Sequence, residues 1–443
     1  MDPTRLSRRE FLRYSACGLS AIALGGCGFG GAGGGGGGGG TPVQVDLRMT
    51  DALVEMVDKT PVYHWVFASA AGARFPGPVV FAFAGSPVTF TVTNALDEVH
   101  EFRVVGAGPG GGNADTGPLQ PGATGTITVS PLAGVYPYWD PRNAPFNRLM
   151  GLYGVLVVLP GVGNTPYSNP TPNVQALFNA LGVEEPFTPG TEGWIAVRPE
   201  TVPPNPELPP DLEPFLYRTR LWVIQQVDSR WNARVEAGEN AEPGGITPAE
   251  FIDGFVPDYF MINGKSGQFS SHDHATLLEG FIGEPHMVRI VNTGLQIASL
   301  HLHANHFYVT AVNNHVMENV AAIDTMTLPS HEADASDPTF GGGVDLAGGL
   351  FLSGGSRVDW LVPFIRPPDI PNDPTRQRPL REVIPNEFRF VLGGVPQSPL
   401  KYPMHDHMEP SQTTTGGNYP NGTLTDFIFL GDKDKVPFPK PVV

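Results

Sequence analysis

The part of this chain expected to fold contains no cysteine. Only Cys17 and Cys27 occur among the 443 residues, and both lie near the N-terminus. A thiolate ligand for a metal is therefore excluded downstream of them. Basic residues are also scarce, since 27 Lys and Arg stand against 44 Asp and Glu, and the formal net charge is −17. This acidic balance argues against nucleic acid as a partner and against electrostatic docking to anionic lipid.

The N-terminus has the pattern of an export signal. Arg8 and Arg9 precede an apolar segment that is too short to span a bilayer as a helix. Such a pattern is typical of twin-arginine signals, and the closing Leu-Gly-Gly-Cys at 24–27 resembles a lipoprotein cleavage box with Cys27 as the lipidated residue. The alternative is an ordinary secretory signal in which Cys27 is incidental. Residues 1–27 therefore predict a periplasmic or cell-surface protein exported by the twin-arginine route, whose membrane contact is a lipid anchor.

Glycine and proline shape the rest of the chain. Residues 28–41 are almost entirely glycine and predict a flexible linker. The 55 Gly and 47 Pro residues of the whole sequence suit a turn-rich β protein with long connections. Roughly 400 residues follow the linker, enough for two domains with proper cores.

The body of the chain is internally duplicated. Segments 85–94 and 283–292 each have Gly, then Pro two residues later, an alternating strand, and Asn nine residues after the Gly. Apolar residues at every second position predict strands with one buried face. The motif Tyr-Pro-x-x-Asp also recurs, at 136–140 and at 402–406. We therefore predict an all-β protein.

The predicted organisation places two domains on either side of a linker. Domain 1 is predicted at 42–160 and domain 2 at 217–435, with a Pro-rich linker at 161–216 and a C-terminal tail at 436–443. Within the linker, Val174 to Leu181 predicts one short helix, and the remainder is interpreted as an ordered linker or a wrapping arm.

Two histidine pairs in domain 2 are the strongest chemical signal. They are His301-Leu302-His303 and His405-Asp406-His407. Residues two apart on a strand project from the same face, so each pair points one way. Imidazole suits Cu, Zn, Fe and Ni. The alternative is that each pair is a surface feature or a hydrogen-bonded part of the core.

The stretch at 254–264, followed by Leu300-His301-Leu302-His303-Ala304-Asn305-His306-Phe307, resembles the multicopper oxidase and copper nitrite reductase superfamily in its two-domain cupredoxin form. The resemblance implies Greek-key β-sandwich domains in which the two histidine strands lie side by side. It also implies copper, as one or two ions on the four imidazoles, although zinc stays open for an all-imidazole site. A homotrimer with metal between domain 1 of one subunit and domain 2 of the next is a further implication.

The chain departs from this family at the blue-copper positions of domain 2. Ala298 stands where the family has a histidine, Asp406 replaces the cysteine, and Ser411 replaces the later histidine. By strand alternation Asp406 points away from the neighbouring histidines, so we interpret it as structural. A blue-copper centre is therefore not expected.

Domain 1 departs further. His100 matches the family's blue-copper histidine, and we retain it as a candidate ligand that would act across a subunit interface. The other positions hold non-ligands: Arg103 and Val105 for one histidine pair, Trp139 and Pro141 for the other, and Asp140 for the cysteine.

Three further features rank lower. His272 and His274 form another same-face pair outside the family's ligand positions. His306 is interpreted as packing or orienting a neighbour. Met404 and Met408 offer sulfur to Cu(I), but strand alternation favours core packing.

Three functions remain open. One is a copper-dependent oxidoreductase of altered type that acts on a small-molecule reductant or oxygen. The second is a non-catalytic copper-handling protein, and the third is a copper-free cupredoxin scaffold. The retained quartet argues against the scaffold. The blue-copper ligands, through which oxidases of this family take up electrons, are missing, and this argues against a conventional oxidase.

Overall fold

The computed structural model describes residues 21–22, 42–161, 163–182, 218–241, 244–328, 357–365, 400–415, 420–432 and 436–437. Cys27, the predicted glycine linker and most of the predicted signal lie outside the described residues. The described chain is dominated by β-strands arranged in four sheets. The predicted all-β class is therefore confirmed.

Domain 1 contains two sheets. Its strands are β1 (Ala21–Ile22), β2 (Val43–Glu55), β3 (Pro61–Ser69), β4 (Gly72–Arg74), β5 (Val79–Phe83), β6 (Val88–Asn94), β7 (His100–Val104), β8 (Ala114–Leu119), β9 (Thr124–Val129), β10 (Gly134–Trp139) and β11 (Tyr153–Leu159). One sheet has the order β4-β3-β2-β6-β9 and the other the order β1-β5-β11-β10-β7-β8. Burial alternates residue by residue along β6, as the sequence pattern predicts.

Domain 2 repeats the arrangement. Its strands are β12 (Thr219–Val227), β13 (Tyr259–Ile262), β14 (Leu278–Phe281), β15 (His286–Asn292), β16 (Ala298–Leu302), β17 (Phe307–Val312), β18 (His315–Val316), β19 (Ala322–Ile323), β20 (Thr325–Leu328), β21 (Arg357–Val362), β22 (Leu400–Asp406), β23 (Leu424–Asp432) and β24 (Val436–Pro437). One sheet has the order β13-β12-β15-β21-β17-β18, with β19 also on β17. The other has the order β14-β23-β22-β16-β20, with β24 on β23.

Short α-helices connect these strands in the described part of the chain: α1 (Phe146–Leu149), α2 (Pro172–Ala180), α3 (Ser229–Glu236), α4 (Pro248–Gly254) and α5 (Gln268–Ser271). Single 3-10 turns occur at Pro109–Gly111 and Glu409–Gln412. No helix in the described ranges is long and apolar enough to cross a membrane.

The helix predicted in the linker is present as α2 and lies in an arm that packs on domain 2. The Thr171 side chain caps the helix by accepting from the Val174 N–H, and its hydroxyl donates to the Met317 carbonyl at 2.6 Å. The Tyr167 and Thr310 hydroxyls lie 2.7 Å apart in a buried contact. This part of the predicted linker is thus a wrapping arm.

Two short strands lie beyond the predicted domain limits. β24 lies in the predicted tail, 436–443, and adds to the edge of β23. Likewise β1, within the predicted signal, pairs with β5 in parallel. Both are only two residues long, and sequence periodicity cannot detect a strand of that length.

The duplication extends to individual hydrogen bonds. In domain 1 the Asn94 amide donates to the carbonyls of Glu98 and Leu119, and its oxygen accepts from the Leu96 N–H. In domain 2 the Asn292 amide makes the same three bonds, to residues 296, 328 and 294. Each asparagine fixes the turn into the next strand, β7 or β16. The repeated asparagine of the sequence therefore has a structural cause.

Candidate metal site

Antiparallel pairing of β16 with β22 brings the four predicted histidines together. His301 lies directly opposite His405 in the register. Backbone bonds extend the pairing beyond the strands, because the His303 N–H donates to the Pro403 carbonyl and the His407 N–H to the Ser299 carbonyl. Alternation then places all four side chains on one face.

The four rings form one cluster. The ring centroids of His301 lie 4.6 Å from His303, 4.7 Å from His407 and 5.8 Å from His405. His405 lies 5.2 Å from His303 and 5.1 Å from His407. The four predicted rings therefore lie side by side on this face.

Two nitrogens of the cluster already approach each other. His303 Nε2 and His405 Nε2 are 3.1 Å apart. Two nitrogens bonded at about 2.0–2.1 Å to one ion would have this separation at an angle of about 100°. In the described part of the chain, however, no three His, Cys, Asp or Glu side chains are arranged as a complete ligand set. The quartet fits an imidazole-bound ion in residue type and proximity, and a further ring has to rotate to complete the site.

The electrostatic setting favours neutral imidazoles. Burial, followed by the neighbouring histidines, lowers the pKa of His303. Burial also lowers the pKa of His405, with further lowering from His407 and His301. Protons therefore compete weakly for these nitrogens near neutral pH, which favours metal binding. His407 is exposed, so the cluster is open on one side.

Asp406 lies behind the histidines and has the structural role predicted for it. Its Oδ1 accepts from the backbone N–H groups of Ser299 at 2.8 Å and Met408 at 2.9 Å. Asp140 in domain 1 makes the same pair of bonds, from Glu101 at 3.2 Å and Arg142 at 2.8 Å. The carboxylate thus ties the end of the second histidine strand to the first.

His100 lies in a buried cluster of domain 1, away from solvent. Its Nδ1 is 2.6 Å from Asp140 Oδ2, and the Asn147 amide donates to the same oxygen at 2.7 Å. The ring is fully buried and meets the edge of Trp65 at 5.0 Å. The structure does not bring His100 to the quartet or to a subunit surface.

Domain 1 has non-ligands at the position of the quartet. Arg103 pairs with Trp139 in the register that His301 and His405 share in domain 2. Arg103 forms an ion pair with Asp115 at 2.5 Å. The register therefore supports the residue matching made from sequence.

The lower-ranked candidates lie elsewhere. The His272 ring donates to the Gln268 carbonyl at 2.8 Å, and His274 Nδ1 is 3.6 Å from a Glu279 carboxylate oxygen. Met404 is fully buried in the core of domain 2, as alternation predicts, and Met408 is half-buried. His306 is exposed.

Sequence reasoning missed two residues beside the quartet, Asp324 and Thr325. His301 Nδ1 is 3.0 Å from the Asp324 carbonyl oxygen and 2.8 Å from Thr325 Oγ1. The contact arises because β20 pairs with β16. No local sequence pattern announces that pairing.

Comparison with known proteins places the fold. No family model and no curated protein matches the sequence. The crystal structure of a blue copper oxidase from Nitrosomonas europaea is 16% identical with a TM-score of 0.54, over 87% of this chain and 85% of that one. A multicopper oxidase, mgLAC, is 15% identical with a TM-score of 0.51, over 89% and 87% of the two chains. The cupredoxin-type fold of the multicopper oxidases, predicted from the sequence, is thereby confirmed.

Proposed function

We propose that this chain is an extracytoplasmic copper-binding protein that holds copper on His301, His303, His405 and His407 and has no blue-copper centre. The observation that carries the proposal is the cluster of four imidazoles on one face of β16 and β22, in which five of the six pairs of ring centroids lie 4.6–5.8 Å apart. Imidazole donors and the fold together favour copper over zinc.

The domain 1 residues support the proposed absence of a blue-copper centre. Where the sequence comparison places a copper-binding cysteine and histidine, Asp140 and His100 bond to each other instead. Asn147 completes this buried group. Asp140 is thus engaged by hydrogen bonds and supplies no thiolate, so electron entry through a thiolate-bound copper is not part of the proposed function.

When bound, copper on imidazole supplies either one-electron chemistry at an open coordination position or simple storage of the ion. The four histidines would hold the ion, and burial favours the neutral form of His303 and His405 by lowering the pKa of each. The exposed side at His407 gives a small reductant, or oxygen, access to the cluster. An altered copper-dependent oxidoreductase is the favoured form. Copper handling without turnover is the second candidate, favoured because other residues stand at the positions of the blue-copper ligands.

Metal content and paramagnetic resonance of the full chain test the proposal. Protein exported into copper-supplemented periplasm should carry one or two copper ions, with a spectrum of the non-blue type and no intense blue absorption. Copper below about a tenth of an ion per chain would refute binding and favour the scaffold. Assays with phenols, cuprous ion, manganous ion and nitrite then separate an oxidoreductase from a copper-handling protein.

A pair of variants tests the site itself. His303→Ala combined with His407→Ala should abolish copper binding, because each histidine pair loses one ligand. The matched control is His272→Ala, an exposed histidine whose ring bonds to its own helix. Loss of binding in the control, with retention in the double variant, would mean that the metal lies elsewhere.

A further inference from the structure

The hydrogen bonds of His301 determine which of its nitrogens is free. Its Nδ1 lies 3.0 Å from the carbonyl oxygen of Asp324, and a carbonyl oxygen can only accept. Nδ1 must therefore carry the proton. Nε2 is left as the lone-pair nitrogen, the atom able to bind a metal ion.

Thr325 reinforces this arrangement through a relay. Its hydroxyl donates to Asp324 Oδ1 at 3.0 Å, so the lone pairs of Oγ1 are available to His301 Nδ1–H at 2.8 Å. The carboxylate at the end of the relay can only accept when ionised, which fixes the direction of both bonds. With the tautomer reversed, Nδ1 would present a lone pair to the Asp324 carbonyl, and the Thr325 hydroxyl could donate to Nδ1 only by giving up its bond to Asp324 Oδ1.

The strand pairing holds the relay in place. Thr325 lies directly opposite His301 in the antiparallel pairing of β20 with β16, and the Leu302 N–H donates to the Asp324 carbonyl at 2.9 Å. The carbonyl that accepts from the ring is thus anchored to the histidine strand itself. The strand pairing therefore holds both Thr325 and the Asp324 carbonyl beside the His301 ring.

Another ring of the cluster presents the same nitrogen. His405 Nδ1 lies 3.2 Å from the Asp406 carbonyl oxygen, so it too donates and leaves Nε2 free. That Nε2 is the atom facing His303 Nε2. Two imidazoles are therefore set by backbone carbonyls to offer Nε2.

We propose that Thr325, acting with the Asp324 carboxylate, is a positioning residue that fixes the tautomer and orientation of His301 so that Nε2 binds the metal ion. This rests on the proposed function, because it concerns the same quartet. Partners of this kind orient imidazole ligands, and their loss typically weakens metal binding by about 10–100-fold. Since the Asp324 carbonyl remains in a Thr325 variant, the lower end of that range applies.

The experiment uses the full chain labelled with ¹⁵N-histidine and freed of metal. Two-bond proton–nitrogen correlation reports the tautomer of each ring, and His301→Gln assigns the signal. Thr325→Val removes the hydroxyl and keeps the strand-forming shape, and Thr325→Ser restores it. Thr327→Val is the matched control, because Thr327 lies two residues along the same strand face and its hydroxyl bonds to Ser299 at 3.0 Å.

In the wild-type chain we expect the His301 proton on Nδ1. Thr325→Val should shift the tautomer equilibrium of His301 and weaken Zn²⁺ and Cu²⁺ affinity about tenfold in competition with a chelator. Thr325→Ser should recover both, and Thr327→Val should change neither. A proton on His301 Nε2 in the wild-type chain would overturn the inference, as would equal losses in the two valine variants.

The outcomes separate this inference from the function on which it rests. If the wild-type chain binds copper and Thr325→Val binds it equally well with an unchanged tautomer, the positioning role is refuted and the proposed function stands. If the wild-type chain binds neither ion, both are refuted, whatever the tautomer.

Discussion

Replacing Asp406 by alanine should weaken metal binding, whereas the same change at its counterpart Asp140 should not. Asp406 Oδ1 accepts two backbone N–H groups, one on the first histidine strand and one just after the second. Its removal disconnects the ends of the two strands that carry the quartet. Asp140 makes the equivalent bonds in domain 1, which has no quartet.

The cost in stability can be worked from the bonds lost. A buried donor left without a partner costs about 1–3 kcal/mol, so the two N–H groups at Asp406 amount to about 2–6 kcal/mol. Asp140 also accepts from His100 and Asn147, both fully buried. Asp140→Ala therefore leaves two more buried donors without a partner, at about 1–3 kcal/mol each. Asp140→Ala should therefore be at least as destabilising as Asp406→Ala.

Metal affinity should follow the opposite order. We expect Asp406→Ala to lower Cu²⁺ and Zn²⁺ affinity by about 10–100-fold, as for other partners that orient metal ligands. Asp406→Asn keeps an oxygen acceptor and should remain close to wild type. Asp140→Ala should bind metal like wild type despite its lower stability.

Denaturant unfolding followed by tryptophan fluorescence measures stability, and chelator competition measures affinity. Both are done on the full chain, with affinity measured below the unfolding transition. Equal loss of affinity in Asp140→Ala and Asp406→Ala would show that general destabilisation, and not strand alignment, controls the site. Unchanged affinity in Asp406→Ala would refute the reasoning directly.

Three further predictions concern the framework. Burial lowers the pKa of His64 to about 4, so the unfolded state binds the proton more readily than the folded state. The free energy of unfolding should therefore fall by about 3 kcal/mol as pH drops from about 6.5 to about 4. Denaturant titrations at several pH values should show that His64→Phe removes this part of the pH dependence. The Asn314 side chain bonds both the N–H and the carbonyl of Val135 across the domain boundary, each at 2.9 Å. Asn314→Ala should therefore destabilise the chain by about 1–3 kcal/mol in urea unfolding, and an unchanged urea midpoint would contradict this. A Cβ at Gly154 would overlap the Tyr138 ring, so Gly154→Ala should lower the thermal midpoint by several degrees, given an overpacking cost of about 1–3 kcal/mol.

The histidine cluster was predictable because it depends on rules that act locally. Alternation on a strand requires that His301 and His303 share one face, and it requires the same of His405 and His407. The one step that needed more than local rules was the adjacency of the two strands, which the family resemblance supplied. The repeated asparagines, at 94 and 292, likewise indicated a duplication whose bonds the structure repeats.

Other features depend on contacts between distant segments and were not predictable. Thr325 meets His301 only because β20 pairs with β16, and nothing in its neighbourhood distinguishes it from other threonines. The burial of His100 depends on α1, which brings Asn147 against Asp140. Ring rotation, which decides how many imidazole nitrogens converge, is also set by such contacts.

The two domains differ at the positions that the sequence comparison matches. Domain 1 has a histidine, His100, at the position that matches the family's blue-copper histidine. This ring is buried against Asp140 and does not face solvent. Domain 2 has the four imidazoles of the quartet, and the position that matches His100 is Ala298, packed in the core. A site that passes electrons from a blue copper to a copper held by the histidine quartet needs both sets of ligands. Under the proposed function the blue-copper ligands are missing, so a substrate would meet the quartet directly, on the exposed side at His407.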